Sequence, residues 1–140
     1  MRLEKKRLLR VELLEDRCLL SANVVLEWNQ RALQSIGQAR VSPVVASRAL
    51  AITQAAVYDA VNAITPKHFR PYLLKRRFGN TASDEAAVAT AAYLVLKNIV
   101  ETVPLTISSF TPAMRATVLA SLEAQYNASK NAIPDSPFKK

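Results

Sequence analysis

Residues 43–64, PVVASRALAITQAAVYDAVNAI, contain no glycine, and proline only at the first position. Ser42 before them is a favoured helix cap, and Pro43 suits the first turn, where its missing N–H costs nothing. Much of the apolar content is alanine, the strongest helix former. The segment therefore predicts a buried helix over 43–64, stopped by Pro66. Val45, Ala49, Ile52, Ala56, Ala60 and Val61 are expected to make its packing face, small enough for a neighbouring helix to come close.

The rest of the chain reads the same way. Two glycines in 140 residues, and no Asn-Gly or Asp-Gly pair, leave no hairpin signal. The expected fold is all-α, a bundle of about four core helices within a larger α-helical fold. A first helix is expected from about Asn23 to Gln38, with Asn23 as cap, Gly37 near its end, and Val25, Trp28, Ala32, Leu33 and Ile36 as its apolar stripe. Trp28 reads as a core anchor. A third helix starts at Ser83, where Asp84 and Glu85 suit the positive end of the helix dipole, and it stops before Pro104. Ala86, Ala89, Ala92 or Tyr93, Leu96, and Ile99 or Val100 mark its buried face. A fourth opens on Thr111-Pro112 and continues through Met114, Val118, Leu119, Leu122 and Tyr126 to about Lys130. Residues 131–140, with two prolines, read as an irregular tail.

Residues 1–22 read as a separate charged leader. Arg10, Glu12, Glu15, Asp16 and Arg17 interrupt every apolar stretch that an ordinary secretory signal would need. The wording RVELLEDRCLLSA nevertheless resembles a charged leader at the start of many large exported or surface proteins of environmental bacteria, which implies export or a cell-surface location. The other reading is an amphipathic helix carrying Leu3, Leu9, Leu13 and Leu20. No apolar run was expected to approach the roughly 20 residues that span a bilayer.

Residues 65–82, TPKHFRPYLLKRRFGNTA, lack periodicity and are long for a connection inside a compact domain. Phe69, Tyr72, Leu73, Leu74 and Phe78 are expected either to dock on the helices or to belong to an interface arm. The formal charge of +8 concentrates in connecting segments: Lys67, Arg70, Lys75, Arg76 and Arg77 fall within residues 67–77, with no acid among them. Such a cluster suits nucleic acid or anionic lipid. The reading preferred here is a solvated loop, or a surface that meets an acidic partner, because no known nucleic-acid motif accompanies the charges.

Few residues could host chemistry. His68 is the single histidine and sits among basic and aromatic neighbours, so no nucleophilic triad is suggested. Cys18 is the single cysteine, which excludes an intrachain disulfide. No ligand spacing suggests a metal site, and two isolated glycines cannot build a phosphate loop. The Asn127-Ala128-Ser129 sequon is short enough to arise by chance. Asp59 is the one acid on a helix expected to be buried, and Arg48, about three turns earlier, is too far along the axis to pair with it. Asp59 and Asn62 are expected to bond to backbone or to a neighbouring helix, in preference to a catalytic role for the carboxylate.

Several of these words occur together and in order: Glu27-Trp28-Asn29, Ser42-Pro43, Ala46-Ser47-Arg48-Ala49-Leu50-Ala51, Tyr58-Asp59-Ala60-Val61-Asn62-Ala63 and Pro71-Tyr72-Leu73. Over about Val24 to Val100 they resemble the N-terminal helical region of vanadium-dependent haloperoxidases, relatives of the type 2 phosphatidic acid phosphatases. The resemblance implies an α-helical bundle and, in a complete member, vanadate, a phosphate mimic, used with hydrogen peroxide to oxidise halide. Its catalytic signature is absent. The only Arg-Pro is Arg70-Pro71, the position where the signature has Lys is Ala63, and there is no Ser-Gly-His. Gln54 stands where many relatives are expected to have His. No catalytic, cofactor-binding or metal residue is therefore carried over. The resemblance implies a non-catalytic N-terminal portion, a fragment of a haloperoxidase-like protein. Its expected partner is the remaining catalytic bundle of a longer chain, or a second copy. The alternative is a self-standing helical module that binds through residues 67–77. A phosphatase relative would lack the same residues.

Overall fold

The structure is a computed structural model. It describes residues 9–65, 69–78, 83–104 and 110–133, with side chains from residue 24 onward. Lys67, His68, Gly79 and the tail beyond Ile133 lie outside the described residues, as does the side chain of Cys18.

Four helices follow in order: α1 (Leu9–Gln38), α2 (Pro43–Ile64), α3 (Asp84–Thr102) and α4 (Pro112–Ala132). Among the described residues there is no strand. The caps are local and fall where the sequence puts them. Ser42, Ser83 and Thr111 each accept a hydrogen bond from the backbone N–H three residues on, relieving an orphan donor of the first turn.

The start of α1 differs from expectation. Asn23 is no cap, because the helix already runs from Leu9 and crosses the boundary drawn between residues 22 and 23. Residues 9–22 are rich in Leu, Glu and Arg, all good helix formers, and contain neither glycine nor proline, so nothing interrupts the helix there. At its other end the left-handed turn falls on Arg40, with φ of 50°, and not on Gly37.

α3 is the centre of the bundle. It packs against α1, α2 and α4, whereas α2 and α4 do not touch. Val88, Ala89, Ala92, Leu96 and Val100 of α3 are buried, with Ala86 only half-buried. They meet Trp28, Ala32 and Ile36 of α1, Ala39 just after it, and Val118 and Leu122 of α4 in one core cluster. Leu33 was expected in the α1 stripe but is exposed. It lies about 100° around the helix from Ala32, away from the line that α3 covers. The α3–α4 contact adds a stacked pair, Tyr93 and Tyr126, with ring centroids 4.4 Å apart. Arg31 of α1 reaches α4, donating to Ser121 Oγ at 2.8 Å and Gln125 Oε1 at 3.1 Å. Arg115 donates to the Val103 carbonyl and lies over the buried Phe110 ring, joining the end of α3 to the start of α4.

Candidate functional site

Helix α2 sits at the edge of the bundle and has two different apolar faces. The face turned to the core carries Ala49, Thr53 and Val57, with Ala46 and Leu50 half-buried. The Thr53 hydroxyl donates to the Ala49 carbonyl at 2.9 Å, so its burial leaves no unpaired polar group. Of the expected face, Ala49 is buried and Val61 packs half-buried against the core, whereas Val45 and Ile52 are exposed and Ala56 and Ala60 only half-buried. A helix apolar around most of its circumference does not tell from sequence which side its neighbour covers.

The second face is open. Val45, Arg48, Ile52 and Ala55, then Tyr58, recur at three- and four-residue steps along it. They line two grooves of about 590 and 580 Å³ that share Arg48 and Ile52, so the two form one trough along the helix. Ile99, Val103 and Pro104 also line the first groove and Tyr72 the second. Arg48 makes no hydrogen bond or ion pair among the described residues. Gln54, at the expected His position, is exposed beside the trough, and its amide donates to Asn29 of α1.

By length and mean hydropathy α2 is long and apolar enough to cross a membrane, although Arg48 and Asp59 interrupt its apolar run, and only 22% of its most apolar window is buried. A core helix of that composition would be mostly covered. Buried Asp59 and Asn62 and packing against α3 make α2 a bundle helix whose outer face lacks a neighbour among the described residues.

The connection after α2 is held as an arm by its backbone. Asn62 and Phe69 exchange two hydrogen bonds: the side-chain amide donates to the Phe69 carbonyl at 2.9 Å, and the Phe69 N–H donates back to Oδ1 at 2.7 Å. Asp59 accepts three backbone N–H donors, from Tyr72 at 2.8 Å on Oδ1 and from Leu73 at 2.7 Å and Leu74 at 2.9 Å on Oδ2. Burial alone would raise the Asp59 carboxyl, but these three donors outweigh it and hold it below its ordinary value of 3.8. The Tyr58 hydroxyl donates to the Arg70 carbonyl at 3.2 Å, and the Tyr58 and Tyr72 rings meet edge to face. The acid and amide of the Tyr-Asp-Ala-Val-Asn-Ala word thus bond to backbone, as expected.

With its backbone fixed, the arm turns its side chains outward. Phe69, Tyr72, Leu73, Leu74 and Phe78 are all exposed, Leu73 by 88%, although the Tyr72 ring still meets Tyr58 of α2. Arg70, Lys75, Arg76 and Arg77 are exposed beside them, with Arg76 over the Phe78 ring. Phe69, Tyr72 and Phe78 stand exposed among these cations, and the charge reading left these rings unused.

The described residues do not fit vanadate. An oxyanion cradle needs converging cations in a dry site. The buried polar residues here are Ser35, Thr53, Asp59 and Asn62, of which the one charge is negative. Among the described residues no cluster of His, Cys, Asp or Glu could hold a metal ion.

Comparison with known families gives a match to the vanadium chloroperoxidase N-terminal domain over residues 13–138. No curated protein and no solved structure matches the chain.

Proposed function

The chain belongs to the vanadium chloroperoxidase N-terminal domain family, and we propose that it is a non-catalytic helical unit whose open α2 face packs on a catalytic helical bundle. The bundle belongs to a longer chain or to a partner. The observation that supports this reading is the apolar trough from Val45 to Tyr58, which lacks a covering helix among the described residues. Halide oxidation by peroxide, expected of a complete haloperoxidase, would rest on residues of the catalytic bundle. The test is direct. Purified chain given vanadate, bromide, hydrogen peroxide and a phenolic dye should brominate no faster than a protein-free control. Turnover above that control would sink the proposal.

The exposed Arg70, Lys75, Arg76 and Arg77 favour a second reading, a self-standing module that binds through residues 67–77. It expects salt-sensitive binding to duplex DNA or anionic vesicles, lost on charge reversal at Lys75, Arg76 and Arg77. Absence of such binding at low salt removes it. For location, the leader wording supports export from a bacterial cell, and fractionation that leaves the chain in the cytoplasm would contradict this.

A further inference from the structure

The trough carries two clues about what covers it. Its spacing is that of a helix–helix seam: Val45, Arg48, Ile52 and Ala55 alternate steps of three and four, the a and d positions of a coiled-coil face. From Val45 to Tyr58 the seam is about 20 Å long, or nearly four turns. Its charge is the second clue. Among the described residues, Arg48 occupies the centre of the seam without a hydrogen-bond or ion-pair partner, and no carboxylate lines either groove. The only acid of α2, Asp59, is taken up by the arm backbone. Arg70, Lys75, Arg76 and Arg77 extend the positive field beyond Tyr72.

We infer that the trough takes an amphipathic helix of about four turns, with an apolar stripe against Val45, Ile52 and Tyr58 and a carboxylate facing Arg48. Further acids at one end of that helix meet the arm. The inference rests on the reading of the α2 face as an interface and names the chemistry of what covers it. A guanidinium at a seam position costs stability when covered unless it is paired, so it rejects helices that carry a base or an apolar residue there.

The probe is a labelled synthetic helix with leucines at seam positions and glutamates flanking them, titrated against the whole chain by fluorescence anisotropy. A second peptide carries lysine for every glutamate. The glutamate peptide should bind, and the lysine peptide should bind at least about tenfold more weakly, which corresponds to about 1.4 kcal/mol. Ile52→Asp should abolish binding. Arg48→Glu should invert the preference toward the lysine peptide, a rescue that a misfolded variant could not give. Both residues are exposed, and circular dichroism checks that each variant keeps its helices.

Equal binding of the two peptides, no binding, or binding untouched by both substitutions overturns the inference. So does a result in which vesicles with anionic lipid, or duplex DNA, bind in place of the peptide and show the same loss in Ile52→Asp. The outcome is separable from the proposal above. If the peptide fails while a catalytic bundle still docks on α2, only the partner chemistry is wrong. Bromination by the isolated chain would instead remove the non-catalytic reading and leave the peptide result standing.

Discussion

Asp59→Asn is the sharpest perturbation of the arm. The carboxylate accepts one N–H on Oδ1 and two on Oδ2. An amide of the same shape can keep its oxygen toward Leu73 and Leu74, but its NH2 then confronts the Tyr72 N–H. One charge-assisted bond is lost and two become neutral. Charged bonds contribute about 1.5–3 kcal/mol and neutral ones about 0.5–1.5. Allowing for water that the freed amides can reach, the anchor weakens by about 3 kcal/mol, or roughly a hundredfold in the opening equilibrium. The arm side chains are exposed, so the loss should appear as local opening and not as global unfolding. Amide hydrogen exchange measured by NMR should accelerate by about a hundredfold at Tyr72, Leu73 and Leu74, with much smaller changes at Leu96 and Val100. Unchanged exchange at the three arm amides would refute the reasoning.

Acid should act on the same anchor. The folded carboxyl of Asp59 lies below its ordinary value, so its contribution is complete above about pH 4 and is lost as pH falls through the folded pKa. Exchange at Tyr72–Leu74 should therefore rise in acid before the core amides follow. Asn62→Ala removes both bonds to Phe69 and should free the first part of the arm by about 1–3 kcal/mol, read from exchange at the Phe69 amide. Leu96→Ala empties the fully buried centre of α3 and should cost about 2–5 kcal/mol in denaturant unfolding. Gly37 lies in α1 with open space where a Cβ would sit, so Gly37→Ala should stabilise by about 0.5–1 kcal/mol in the same assay.

What the sequence disclosed was mainly local. Ser42, Ser83 and Thr111 were legible as caps because a cap needs only its own turn, and the burial of Ala89 and Leu96 followed from the apolar stripe, which left the choices between Ala92 and Tyr93 and between Ile99 and Val100 open. The start of α1 was misread because Asn23 is a good cap wherever a helix begins, and nothing local said that this helix had begun earlier. The face of α2 was hidden for the opposite reason: Val45 and Ile52 are as apolar as Val57, and only the placement of α3 decides which of them is covered. At the candidate site, Asp59 and Asn62 could be read as structural polar groups. Their partners could not, because backbone N–H groups at Tyr72, Leu73 and Leu74 leave no mark in residue identity.

The central claim, that the open face of α2 is where a catalytic bundle docks, is tested most directly by photo-cross-linking. A photoreactive residue replaces Ile52 in one sample and Leu94, exposed on α3, in another. Each chain is mixed with the catalytic helical bundle of a vanadium chloroperoxidase and irradiated. The account predicts a cross-linked product from position 52 and none from position 94. Cross-linking from 94 alone, or from neither position, would contradict it.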